Sequence, residues 1–385
     1  MQSPIYLDYM ATTPVDPRVV AYMLPYLAQP ELCGNPTSNH YYGLLARRAV
    51  ETARQQVAEL LNTTAETIIF TSGATEALNL AIKGAAWFHQ SKGKHILTTQ
   101  IEHKAVLDTC EFLANHGFDI EYLPPNREGM ITPEQVKASL RPDTILVIVM
   151  AANNEIGTLY DIAAIGELVR AQGALFIVDA AQAAGKILLD CQHLKVDLLA
   201  LSSHKLYGPK GIGALYISRK PRVRIAPQMH GGGHEFGLRS GTLATHQIVG
   251  FGYACQLARE QLVADWYHTL SLREQFWDIV KHCAAVTING TMTSRLAHNL
   301  NLCFRGIDAE ALLAGLPHLA ISTTSACNSI ITQASYVLKA IGLHDHEAFS
   351  AIRVSFGRYT TPKEVHKAAY DICAEAERLR HIAPG

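Results

Sequence analysis

Six short apolar runs constrain this chain more than any other feature: Ile68–Phe70, Ile96–Leu97, Ile145–Met150, Leu175–Val178, Leu198–Leu201 and Ala214–Ile217. A strand with one face in water alternates apolar and polar residues, whereas a run that is apolar throughout has both faces covered. Helical patterns separate several of these runs, for example Ile162–Ala171. Ahead of the first run, Ala46, Ala49, Val50, Ala53, Val57, Leu60 and Leu61 recur every three or four positions and make one apolar helix face. Buried strands alternating with helices predict an α/β domain with a mostly parallel sheet between helical layers. After about Gly250 the pattern changes to a long helical stretch through Val280, then to mixed elements ending in a helix near Thr361–Arg380. The chain therefore reads as a large α/β domain over residues 15–255 and a smaller α+β domain made by residues 1–14 and 256–385.

At 385 residues, 48% hydrophobic and 17% charged, the chain has ample material for such a core. Its net charge of −1 gives no reason to expect a nucleic acid or an anionic membrane as partner. Met1–Tyr9 lacks the basic start and apolar run of a signal peptide, and Ile145–Ala152 falls far short of the ~20 residues that span a bilayer. A cytoplasmic protein, without membrane association or direct nucleic-acid contact, is the expectation. The eight cysteines include no C-x-x-C pair. That speaks against a disulfide framework and a zinc site, and for thiols packed as small hydrophobes. No H-E-x-x-H spacing appears either, and no metal is expected.

Chemistry concentrates where the apolar runs end, which is where open α/β sheets place their ligands. Thr71-Ser72-Gly73-Ala74-Thr75-Glu76 follows the first run and opens a helix. Backbone N–H groups and the Thr75 hydroxyl there can surround an anion, although an ordinary helix cap explains the same residues. Asp179 emerges from an entirely apolar strand, ahead of Ala180-Ala181-Gln182. It reads either as a structural cap or as a carboxylate that keeps a pyridine nitrogen protonated. Ser202-Ser203-His204-Lys205 follows Leu198–Leu201. A lysine directly after a buried strand suits a Schiff base. The three together point to pyridoxal phosphate.

Nearly the whole chain then resembles the IscS/NifS-type cysteine desulfurases, fold type I pyridoxal-phosphate enzymes of aminotransferase class V. The matching segments run from Tyr6-Leu7-Asp8-Tyr9 and Ala11-Thr12-Thr13-Pro14 to Ile352-Arg353-Val354-Ser355-Phe356-Gly357-Arg358. Between them lie Gly34-Asn35-Pro36, Glu102-His103-Lys104, Asn153-Asn154-Glu155-Ile156-Gly157, His230–Glu235 and Arg239-Ser240-Gly241-Thr242. The resemblance implies conversion of L-cysteine to L-alanine, with the sulfur held as a persulfide. It makes Lys205 the residue that binds the cofactor covalently and Asp179 the partner of its ring nitrogen. Gln182 is then the contact of the ring hydroxyl, and His103 stacks on the ring and moves protons. Ala74, Thr75, Ser202 and His204 bind the phosphate, joined by Thr242 from the second subunit of a homodimer. Asn154 lies near the ring hydroxyl and the substrate carboxylate, which Arg353 grips.

The same resemblance makes Cys327, in Ser322-Thr323-Thr324-Ser325-Ala326-Cys327-Asn328-Ser329, the persulfide carrier. Small hydroxylated neighbours and the length of the segment through Ala334 suggest an exposed, mobile loop able to reach both substrate and acceptor. Three positions depart from close relatives: Thr324 for a usual glycine, Phe236 for an arginine, and Ala151 for a histidine. The chain stops at Pro384-Gly385, short of the tail with which housekeeping relatives contact the iron–sulfur scaffold protein, so delivery to a scaffold is in question. Arg219, Lys220, Arg222 and Arg224 form a basic segment suited to acidic accessory proteins of cluster assembly, or else a plain solvated turn.

Overall fold

The structure, a computed structural model, describes residues 4–323, 326–328 and 331–382; of residues 326–328, 331 and 332 it describes the backbone alone. Each apolar run becomes a strand, extended by one residue or, for Ile96–Leu97, by three: Ile68–Thr71, His95–Thr99, Thr144–Met150, Leu175–Asp179, Leu198–Ser202 and Gly213–Ile217. With Asp119–Leu123 they form a seven-stranded sheet. From edge to edge its order is Ile68–Thr71, Gly213–Ile217, Leu198–Ser202, Leu175–Asp179, Thr144–Met150, His95–Thr99 and Asp119–Leu123. All neighbours pair in parallel except Gly213–Ile217, which runs against both of its partners.

Side chains alternate between two cores. Val147, Val149, Phe176, Val178, Leu199 and Leu201 point to one face, against Val50 and Val57 of the helix Tyr41–Leu60 and Ile165 of the helix Ile162–Gln172. Leu146, Ile148, Ile177, Leu198 and Ala200 point to the other, against Leu78 and Ile82 of the helix Ala74–His89 and Val106 of the helix Lys104–Ala114. Two apolar faces on one strand are the physical reason that the runs carry no polar alternation.

The C-terminal part builds a second, antiparallel sheet ordered Ser322–Thr323, Ala351–Ser355, Asn299–Phe304 and Val286–Ile288. Its core joins Leu300, Phe304 and Val354 to Ile372 of the helix Pro362–Ile382. The helix Thr245–Val280 serves this core, with Leu272 and Phe276, and also the large-sheet core that holds Val50 and Val57, with Ile248 and Phe251. The N-terminal Ile5–Tyr6 pairs with Leu319–Ala320, which brings residues 7–13 across to the large sheet. No helix among the described residues is long and apolar enough to cross a membrane.

One expectation needs correction. Cys283 and Cys373, read as packed thiols, form a disulfide with Cα atoms 5.7 Å apart, joining positions 90 residues apart in sequence. The end of the long helix and the C-terminal helix bring them together, which no local spacing announces. Cys110, Cys191, Cys255 and Cys303 are buried free thiols, as expected, and Cys33 is exposed. In the segment around Cys327, Ala326–Asn328 pairs antiparallel with Ile331–Gln333. The Cys327 side chain and residue Thr324 lie outside the described residues.

Candidate active site

A cavity of about 520 Å³ opens where the large-sheet strands end, a size ordinary for a small-molecule site. Ala74, Thr75, His103, Asn154, Asp179, Gln182, Ser202, His204, Lys205 and Arg353 all line it. Asp179 and Ser202 are the last residues of their strands, and Lys205 closes the short turn Ser203–Lys205. Gly73 starts the helix Ala74–His89 with no side-chain cap. That leaves the first-turn N–H groups and the positive end of the helix dipole for an anion. Glu76, in the same turn, faces Arg239 at 2.8 Å and the Ser72 N–H at 2.8 Å.

The N-terminal segment forms one wall. Lys205 Nζ donates to the carbonyls of Met10 (2.6 Å) and Ala11 (2.8 Å), and Gln182 Nε2 donates to the Met10 carbonyl (3.0 Å). Burial brings the Lys205 amine down to about 8, helped by Arg353 and opposed by Asp8 and Asp179. Burial also raises the Asp179 carboxyl, against the Ala181 N–H bonded to it at 2.9 Å and the charges of His103 and Lys205. His204 is held down at about 4 by burial, then by Lys205 and Lys210, and its Nδ1 shares a hydrogen bond with Thr12 Oγ1 at 3.1 Å. The His103 Nδ1 accepts the Ala105 N–H at 3.1 Å, so this side chain caps the next helix.

Arg353 reaches from the small sheet to the segment that follows the large-sheet strand Thr144–Met150. Its Nη1 donates to the Asn154 carbonyl at 2.8 Å, and its Nη2 donates to Asp8 Oδ1 at 2.8 Å and Ser322 Oγ at 3.3 Å. Arg353 Nε and Asn154 Oδ1 are buried without a hydrogen-bond partner among the described residues.

The chain matches the aminotransferase class-V family model over residues 5–367. The cysteine desulfurase IscS of Stutzerimonas stutzeri is 54% identical over 385 residues, covering 100% of this chain and 95% of its own length. The chain belongs to this family, among its cysteine desulfurases. A solved NifS-like protein superposes with a TM-score of 0.90 at 35% identity, covering 98% of this chain and 100% of its own. The desulfurase-like fold is also that of SspA in complex with cysteine, with a TM-score of 0.81, 36% identity, and 93% and 100% of the two chains covered.

Not every site residue expected from the family comes together within one chain. Thr242 is exposed and does not line the cavity. Other residues at the site had been given no role in the sequence. Glu102 is wholly buried beside His103; burial, then the Asp179 charge, pushes its carboxyl up to about 8. Its Oε1 accepts the Thr99 hydroxyl (2.9 Å) and the Met150 N–H (3.0 Å), and its Oε2 has no partner among the described residues. Glu155, beside Asn154, is pushed up to about 7 by burial and accepts the Ser335 hydroxyl. Both carboxyls sit in quoted family segments, but an acidic letter in a sequence does not announce how much water its carboxyl keeps.

Proposed function

We propose that this protein converts L-cysteine to L-alanine with pyridoxal phosphate in the cavity, transferring the sulfur to Cys327 as a persulfide. The reading is carried by one observation: a nucleophilic amine, a strand-end carboxylate, a histidine and an arginine line a single cavity. The donor set also fits the cofactor. The uncapped helix at Gly73, with Thr75, Ser202 and His204, offers donors to a phosphate. Asp179, raised by burial, is suited to share a proton with a ring nitrogen, and Gln182 and Asn154 offer polar contacts to a ring hydroxyl. Lys205 carries the cofactor. When bound, pyridoxal phosphate supplies an electron sink for negative charge developing at the substrate α-carbon.

The chain's own groups do the rest. With its amine near 8, Lys205 is partly neutral at physiological pH and can take and return a proton, and His103 is the second proton carrier. Arg353 binds the α-carboxylate, with Asn154 beside it. The Cys327 thiolate attacks the substrate sulfur: the new S–S bond forms as the carbon–sulfur bond breaks, and the electron pair of that bond stays with the carbon fragment. A proton then completes L-alanine. Overall, L-cysteine and the Cys327 thiol become L-alanine and the Cys327 persulfide.

The working unit we propose is a homodimer, in which the partner subunit's Thr242 completes the phosphate contacts; the exposure of Thr242 in one chain suits that role. Acceptors of the sulfur belong to iron–sulfur cluster assembly, tRNA thiolation or related transfer. Acidic accessory proteins dock at the basic segment, where Lys220, Arg222 and Arg224 are exposed. Arg219 is the exception, since it donates to the Glu66 carbonyl at 2.9 Å and belongs to the fold. The deciding experiment gives purified protein L-cysteine and measures alanine together with persulfide on Cys327. Cys327→Ser should bind the substrate and lose persulfide formation; alanine made by that variant at the wild-type rate would sink the reading.

A further inference from the structure

Among the described residues Arg353 is the one arginine lining the cavity, and most of what it can donate is already committed. A guanidinium has five N–H donors. Those of Arg353 reach the Asn154 carbonyl, Asp8 and Ser322, and Nε is left without a partner among the described residues. The Asp8 contact differs in kind from the others. One carboxylate oxygen takes Arg353 Nη2 at 2.8 Å while the second accepts the Ser322 hydroxyl at 3.0 Å, so Asp8 grips the arginine and the edge strand beside it together. Asp8 is itself fixed by backbone. It makes a β-bridge with Ser355, whose N–H donates to the Leu7 carbonyl at 2.7 Å and whose hydroxyl accepts the Met10 N–H at 2.9 Å. Side-chain exposures of 12% for Arg353 and 18% for Asp8 leave the ion pair little water to soften its geometry.

We propose that Asp8 is a positioning residue for the reaction: it sets the Arg353 guanidinium for the substrate α-carboxylate and locks that setting to Ser322. The inference rests on the carboxylate-binding reading of Arg353. An arginine held on one side by a rigid carboxylate and on the other by the Asn154 carbonyl loses little rotamer freedom when substrate arrives. Asp8 touches no reacting atom, and its effect passes entirely through Arg353. Asp8 also stands on the side that favours the protonated Lys205 amine, in opposition to Arg353. It therefore offsets some of the charge that a lone arginine would impose on the cavity.

The test uses the cofactor-loaded enzyme and two probes, L-alanine, which carries the α-carboxylate, and cysteamine, which lacks it. Binding of each is read from the cofactor absorbance in Asp8→Ala, Asp8→Asn, Arg353→Ala and the double variant Asp8→Ala/Arg353→Ala. Truncating one member of a sheltered charge pair predicts that Asp8→Ala weakens L-alanine roughly tenfold or more and leaves cysteamine within about twofold. Asp8→Asn, which keeps one oxygen acceptor, should recover part of the loss. The loss should vanish in the Arg353→Ala background, and for L-cysteine KM should rise more than kcat falls. Equal weakening of both probes, tighter L-alanine binding in Asp8→Ala, or a loss that persists without Arg353 overturns the proposal. If Arg353→Ala alone does not separate L-alanine from cysteamine, the carboxylate reading of Arg353 fails and takes the role of Asp8 with it.

Discussion

Replacing Glu235 with alanine strips the buried partner from a guanidinium that has almost no access to water and, among the described residues, is otherwise ion-paired only with the exposed Glu51. Arg54 and Glu235 expose only 3% and 2% of their side chains. They meet through two bonds, Nη2 to Oε1 at 2.7 Å and Nη1 to Oε2 at 2.8 Å. Glu235 Oε2 also accepts the Phe70 N–H at 2.6 Å, and Arg54 Nη1 donates to the Ile68 carbonyl at 2.8 Å. The pair thus ties the segment that leads to Arg239 and Thr242 onto the edge strand Ile68–Thr71. It does so despite left-handed backbone at both Glu235 (φ 47°) and Phe236 (φ 56°). The Glu235 carboxylate does most to keep Arg54 charged against burial, so its loss leaves the buried guanidinium with only the solvent-exposed Glu51 carboxylate at 3.2 Å, and leaves a backbone N–H unpaired. Breaking a buried pair in this way costs about 3–5 kcal/mol, whereas replacing both charges with apolar groups of similar volume is often nearly neutral. Urea unfolding should therefore show a large loss for Glu235→Ala and recovery of most of it in Arg54→Met/Glu235→Leu. Hydrogen exchange over residues 229–242 tells local opening from global unfolding. A loss under about 1 kcal/mol in Glu235→Ala with unchanged exchange, or a double variant as unstable as the single, would refute the reasoning.

Four further outcomes can be checked. Because the Glu102 carboxyl lies at about 8 in the fold and at 4.5 ordinarily, its protonated form supports the fold fully below about 4.5, and that support is lost as pH rises through about 8. Glu102→Gln should flatten this fall, by up to a few kcal/mol across the window, in urea midpoints measured against pH. Asp179→Ala removes an anion that supports the Lys205 ammonium. It should lower cofactor occupancy and cut turnover by orders of magnitude, as followed by absorbance and alanine release. A methyl group at Gly213 would lie 2.4 Å from the Leu201 carbonyl oxygen and 2.7 Å from Gly73 Cα. Gly213→Ala should cost about 1–3 kcal/mol in unfolding experiments and loosen the phosphate end of the cavity. Reversing Arg222 and Arg224 to Glu should leave desulfuration without partners intact while weakening, in calorimetry, a salt-sensitive association with acidic accessory proteins.

The sequence by itself determined the sheet and most of the cavity, because both depend on patterns that a linear chain displays. Continuous apolar runs such as Ile145–Met150 can only be strands or helix cores covered on both sides, and the residues that follow them lie where the strands end. Asp179, Ser202, Lys205 and the turn at Gly73 were legible for that reason, and the family resemblance added His103, Asn154 and Arg353. Asp119–Leu123 escaped notice because it is an edge strand with its first residue exposed, so its Asp-Ile-Glu-Tyr-Leu sequence keeps polar letters. Only the tertiary structure could decide that Gly213–Ile217 runs against its neighbours, since strand direction leaves no trace in composition. It alone could join Cys283 to Cys373, place Asp8 345 positions away against Arg353, bury Glu102, and raise the Glu155 carboxyl. Ion pairing, thiol pairing and carboxyl protonation depend on which surfaces meet after the chain has packed, and on how much water that packing excludes.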